Sequence, residues 1–184
     1  MKSVIIFTSL ILSLLSCKTF WKVIDINQET KNFPTLEKAT IVFSQPMNLS
    51  YEKSLIVVPE VGNDDTYFKE MISKFNFFHD VIGLDGLENR IIKSNLTNKV
   101  PVINDRIGFN NAAKYYKPFL WLHAKMRVDG NKSYEQFILT DALTMNDYFV
   151  EEVLYDPYGR GVNDQTVWYP LLNGLSDYLR EQVK

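Results

Sequence analysis

The stretch Ser54–Val61, SLIVVPEV, is the strongest constraint on the fold. A continuous run of β-branched and aliphatic residues suits a strand buried on both faces, and Pro59 belongs near its end, where the missing amide hydrogen costs least. The period then changes. In GNDDTYFKEMISKFNFF the residues Phe68, Met71, Ile72 and Phe75 recur three or four apart, the spacing of one helix face. Asn63, Asp64 or Asp65 supplies a side chain suited to capping that helix. HDVIG, residues 79–83, reads as a short strand, and LDGLENRII as a helical start. Asp85 and Glu88 have capping-box spacing there, with Leu87 and Ile91 as the apolar stripe. Strand, helix, strand, helix is therefore the expected order.

The flanking segments extend this pattern. ATIVF, residues 39–43, looks like a strand. Residues 97–111 read as a polar connection, with VPVI as a short strand or extended piece, and residues 111–116 as a brief helix. FLWLHAKMRV, the turn GNKS, and YEQFILTDALTMNDYFVEEVLYD predict three consecutive strands, the last two joined near Thr144–Asp147. YPLLNGLSDYLREQV is amphipathic through Leu171, Leu172, Leu175 and Leu179. Pro170 is tolerable in its first turn, while Gly174 costs roughly 1 kcal/mol against Ala, which close packing against a neighbour would explain. The expectation is an α/β (mixed α+β) fold: a single sandwich domain over residues 37–184, with a mixed, partly antiparallel sheet flanked by helices.

The amino-terminal segment concerns location. Lys2 precedes an apolar stretch from Val4 to Leu15, then Ser16 and Cys17, the only cysteine. This is the pattern of a signal peptide, residues 1–16, and its core is shorter than the roughly 20 residues needed to span a bilayer. With one cysteine no intramolecular disulfide can form, so stability must come from the core. Leu14, Leu15, Ser16 and Cys17 resemble the lipobox of bacterial lipoproteins. The resemblance implies cleavage after Ser16, a diacylglyceryl group and further acylation on Cys17, and residues 17–36 as tether or amino-terminal arm. Lys18 at the second mature position implies the periplasmic face of the outer membrane in hosts that use the common sorting rule. Several acyl chains hold a domain on a membrane where one would not.

Three stretches resemble the periplasmic αβ domain shared by curli-secretion-type lipoproteins, the Tol-system β-propeller protein's amino-terminal domain, and lipoprotein activators of peptidoglycan synthases. They are residues 54–92, with the strand ending in Val-Pro and the DVIG strand; 113–128, a helix leading into a strand; and the hairpin of 137–153. Met145, Asn146 and Asp147 stand where the usual hairpin has glycine. The resemblance implies action through protein contacts, without catalysis.

Patterns for chemistry are sparse. His79 and His123 are the only histidines, and with Cys17 committed to lipid they read as structural or surface groups, with no metal site and no catalytic residues expected. Neither a nucleophile elbow nor a phosphate-binding loop occurs, and no cofactor is expected. Asp85 and Glu88 fit a helix cap better than a glycosidase pair, and residues 63–65 fit a cap better than a calcium site. A formal charge of -2 gives no basic surplus for nucleic acid. One stretch stands out: YDPYGRGVNDQTVWYP, residues 155–170, concentrates Tyr155, Tyr158, Arg160, Trp168 and Tyr169. Aromatic residues and Arg dominate many protein interfaces, so these five are the expected contact residues, unless the loop folds its rings onto its own core. The expected function is binding or positioning another envelope protein from a lipid anchor. The alternative is carbohydrate or small-ligand binding.

Overall fold

The computed structural model describes residues 25–47, 54–60 and 66–182. The signal segment, Cys17 and the helix-cap candidates at 63–65 lie outside these residues. Among the described residues there are six strands: β1 (Thr40–Ser44), β2 (Ile56–Val57), β3 (Val81–Ile82), β4 (Leu120–Asp129), β5 (Lys132–Asp141) and β6 (Asp147–Tyr155). The α-helices are α1 (Thr66–Ser73), α2 (Leu84–Lys93), α3 (Arg106–Tyr115) and α4 (Tyr169–Glu181), the last entered through a π-helical turn at Asp164–Trp168.

The strands form one sheet in the order β1-β6-β5-β4-β2-β3. β2 runs parallel to β3 and β4, whereas β4, β5, β6 and β1 pair antiparallel. The mixed α/β expectation holds. Alternation along Leu55–Val58 explains the continuous apolar run: Ile56 and Val58 enter one core, Leu55 and Val57 the other. The first core joins Leu122, Phe137 and Phe149 of the sheet to Phe68 and Ile72 of α1 and Leu172 and Leu175 of α4. The second joins Phe119 to Leu87 and Ile91 of α2 and Phe109, Ala112 and Ala113 of α3.

Two local readings need correction. Helix α2 has Gly83 as its N-cap with no side-chain cap bond, so Asp85 and Glu88 form no capping box. Asp85 lies in the first turn, where its charge still suits the helix dipole. The polar connection contains the first half of α3: Asp105 caps it, accepting from the Gly108 amide at 2.8 Å, and VPVI forms no strand. In the β5–β6 turn Met145 takes the left-handed conformation (φ 61°) that glycine would take at less cost. Asp141 holds that turn by accepting from the Leu143 amide at 2.8 Å and the Thr144 hydroxyl at 2.7 Å.

Candidate functional site

The arm before β1 is fastened to α4. The Asn173 side chain accepts from the Phe33 amide at 2.6 Å and donates to the Phe33 carbonyl at 3.0 Å, completing the bonding of that arm residue as a neighbouring strand would. Ser176 donates to the Lys31 carbonyl at 3.2 Å, and Thr35 to the Gln165 carbonyl at 2.7 Å. The Phe33 ring stacks on Tyr169 at 5.0 Å, carrying the arm into the first core.

From this arm the chain enters β1, an edge strand that pairs only with β6 among the described residues. All five of its residues are exposed, including Ile41 (61%), Val42 (54%) and Phe43 (44%), and Leu36 just before it is fully exposed. A register shift between Ile41 and Phe43 turns these two side chains toward opposite faces. Between arm, β1 and α4 runs a groove of about 320 Å³, lined by apolar Leu36, Ile41 and Phe149 and by charged Glu37, Lys38, Asp177 and Glu181.

Glu151 lies under the floor of this groove. It is fully buried, and neither carboxyl oxygen has a hydrogen-bond partner. Burial pushes its pKa well above the usual carboxylate range. The Leu175 amide, close by but outside hydrogen-bond geometry, offsets this only partly, and the Asp177 charge raises it further. The next residue, Glu152, points to the other face and is well satisfied. It accepts from Arg127 at 2.8 and 2.9 Å and from Gln136 at 2.8 Å, and the Arg127 hydrogen bonds hold its pKa down.

A raised carboxyl pKa gives folding a definite pH dependence. Between the unfolded value near 4.5 and the higher folded value, the folded protein binds the extra proton, so stability falls as pH rises. Glu151→Gln is therefore expected to match the parent near pH 4.5 and to exceed it by about 1–2 kcal/mol at pH 7 in urea unfolding. Equal slopes with pH in the two proteins would contradict this. The comparison must be between the two proteins, because burial also lowers the His123 pKa to about 4, which destabilises the fold below pH 6.5 in both. His123 stacks on Trp121 at 4.1 Å, and its Nε2 lies 3.2 Å from Thr140 Oγ1, whose hydroxyl donates to Asp147 at 2.7 Å. Thr140 itself is buried, so this chain of groups offers no accessible nucleophile. His79 is exposed. Among the described residues no group of three or more His, Cys, Asp or Glu is arranged to hold a metal ion.

The five loop residues separate into two sets. Tyr158 is fully exposed, and Arg160 pairs with Glu37 at 2.9 Å, linking loop to arm. Trp168 lies half-buried with its ring 5.3 Å from Phe68 and 6.2 Å from Phe137, and Tyr169 is buried in the first core. Those two rings face inward, so Tyr169 is a core residue and not a contact residue. Tyr155 is half-buried at the end of β6. The exposed apolar residues of the arm and β1 were not legible as such, because ATIVF has the composition of a buried strand. A second exposed pair, Ile92 and Val102, borders a smaller groove of about 200 Å³ on the α2 side.

No described protein family matches the chain, and no curated protein sequence does. Among solved structures it is similar to the LpoB C-terminal domain from Salmonella enterica, at 12% identity over 57% of this chain and 84% of that chain, with a TM-score of 0.36. It is also similar to the PelC dodecamer from Paraburkholderia phytofirmans, at 13% identity over 77% and 96% of the two chains, TM-score 0.35. Lipoprotein GNA1162 from Neisseria meningitidis is similar at 11% identity over 71% and 97%, TM-score 0.30. None of the three assigns a function to this chain.

Proposed function

We propose that this chain is a non-catalytic bacterial envelope lipoprotein, held by lipid on Cys17 at the periplasmic face of the outer membrane, that binds or positions another envelope protein. The observation that carries the reading is the exposed apolar set Leu36, Ile41, Val42 and Phe43 on an edge strand and its approach. Soluble domains usually protect such an edge with charge, proline, a bulge or a covering segment; β1 has the register shift between Ile41 and Phe43, but TIVFS carries no charge and no proline. An exposed strand edge is a common way to capture an extended segment of a partner, with main-chain hydrogen bonds giving affinity and side chains giving choice. Tyr158 and Arg160 extend the surface from the loop, Arg160 through its bond to Glu37.

The triple substitution Leu36→Ser, Ile41→Thr, Phe43→Thr keeps strand propensity at both β1 positions and removes the apolar contact. It is expected to lower the yield of an in-cell crosslinked partner at least tenfold and to leave the unfolding midpoint nearly unchanged, since all three side chains are exposed. An unchanged crosslink yield in the folded variant would sink the reading. The second reading, carbohydrate or small-ligand binding, is supported by the groove beside β1.

A further inference from the structure

Three helices finish at one end of the sheet, and the described chain begins there. Helix α1 leads into β3 and α3 into β4, and both strands run parallel to β2, so α1 and α3 finish where these strands start. Arg90, in the last turn of α2, donates to both carboxyl oxygens of Asp80, just before β3, which brings the end of α2 to the same place. Lys74, next after α1, pairs with Asp25 at 3.4 Å, and Asp25 is the first described residue. Cys17 lies eight residues earlier, a reach of at most about 28 Å of extended chain.

This end carries unpaired cations. Lys93, Lys99 and Lys114 are exposed and make no ion pair among the described residues. The nearby carboxylates are engaged: Asp25 by Lys74, Asp80 by Arg90, and Asp147 by Arg106 at 3.9 Å. Asp85 and Asp105 stand at the starts of α2 and α3, away from these lysines, and only Glu88 of the two helices lies nearer. The Lys99 and Lys114 ammonium groups lie 5.2 and 5.5 Å from the centre of the exposed Tyr115 ring. Two like charges held at one ring repel, and an anionic neighbour removes that cost. Helix dipoles account for Lys93 and Lys114, each in a last turn, but not for Lys99, which lies in no helix. Nor do they account for the exposed Ile92, next to Lys93, and Val102, which line the smaller groove together.

We propose that this end of the domain docks on the anionic phospholipid surface that holds the Cys17 lipid. Lys93, Lys99 and Lys114 reach headgroup phosphates, and Ile92, Val102 and Tyr115 enter the interfacial layer, where aliphatic side chains, a tyrosine ring and lysine stems are all accommodated. The inference rests on the lipid anchor of the function proposed above, because the short tether selects a membrane over an acidic protein: it keeps this end of the domain within about 28 Å of the bilayer. Each lysine is expected to favour an anionic over a neutral surface about fivefold, and the three together about a hundredfold. β1 is the opposite edge of the sheet from β3, so docking here leaves the β1 edge open to a partner.

The full lipidated chain is reconstituted into vesicles of phosphatidylcholine alone or with phosphatidylglycerol as a third of the lipid, and carries one spin label, at Val102→Cys or at Tyr158→Cys. The Cys17 sulfur is blocked by its lipid, so only the introduced thiol is labelled. The label at 102 is expected to show at least a threefold higher ratio of oxygen to nickel-chelate collisions in anionic than in neutral vesicles, and the label at 158 the value of water in both. Lys93→Gln, Lys99→Gln and Lys114→Gln together, all at exposed side chains, are expected to return the label at 102 to its value in neutral vesicles while far-ultraviolet circular dichroism stays native. A water value at 102 in anionic vesicles overturns the proposal and leaves the lysines to an acidic protein. Equal values at 102 and 158, or no change in the folded triple variant, also overturn it. Mass spectrometry of the same sample separates the two readings. Absence of lipid on Cys17 overturns the anchor and this docking with it, whereas a lipidated chain with the label at 102 in water overturns the docking alone.

Discussion

Tyr169→Ala is expected to destabilise the fold by about 3–5 kcal/mol, the range for deleting a buried large aromatic side chain. Tyr158→Ala, in the same loop-to-helix stretch, is expected to change stability by less than about 0.5 kcal/mol. The contrast follows from placement. Tyr169 is 1% exposed and stacks on Phe33, so its removal both opens the first core and loosens the arm, whereas Tyr158 is fully exposed. Urea unfolding of both variants checks this. A small loss at Tyr169 would mean that the arm is not held on α4 as described.

Gly174→Ala is the second large effect, and here two principles oppose each other. In an open helix the change gains about 1 kcal/mol from propensity. At this position the added carbon would lie 1.8 Å from Glu151 Oε2 and 2.8 Å from its Cδ, separations no real atoms adopt. Glu151 is fully buried between β6 and α4, so it cannot swing into solvent without opening that packing. Steric conflict wins, with an expected net loss of about 2–3 kcal/mol. In a Glu151→Ala background the same change should turn stabilising by up to about 1 kcal/mol, and the two sites should show a coupling of about 2 kcal/mol or more. A stabilising Gly174→Ala in the parent would contradict the placement of the carboxyl.

The fate of particular residues shows what local sequence could reveal. Strands β4 to β6 were legible because each is a run of nine or ten residues rich in aliphatic and aromatic side chains, alternating with polar ones in β4, and their turns are marked by Gly130 and the Asp141–Asn146 segment. The cost of Gly174 in a helix was legible as a demand for close packing, and Glu151 is the neighbour that meets it. The start of α3 was hidden because Gly108 breaks the apolar period. That glycine is needed where the helix meets the chain before it: a side chain there would lie 2.5 Å from the Val102 carbonyl oxygen. Asp85 and Glu88 matched a capping box by spacing alone, yet Gly83 begins the helix, its carbonyl accepting from Leu87 at 3.1 Å.

The site was less legible, since it depends on strand order. Residue type cannot tell whether Ile41 and Phe43 lie in the middle of a sheet or at its edge. The two adjacent glutamates of β6 differ only in which face each takes: Glu152 meets Arg127 and Gln136 from β4 and β5, whereas Glu151 meets the backbone of α4. The aromatic loop was found by composition, but Trp168 and Tyr169 answer to the core. Only Tyr158 and Arg160 of that set stand at the surface beside the arm.

The most direct measurement is in-cell photocrosslinking from a benzoylphenylalanine at position 42 on β1, compared with one at exposed position 107 on α3, in the native protein and in a Cys17→Ala form. The account predicts one discrete envelope-protein adduct from position 42, absent from position 107, and lost in the Cys17→Ala form and in the Leu36, Ile41, Phe43 triple variant. Equal adducts from both positions, or a position-42 adduct that persists undiminished in the triple variant, would contradict it.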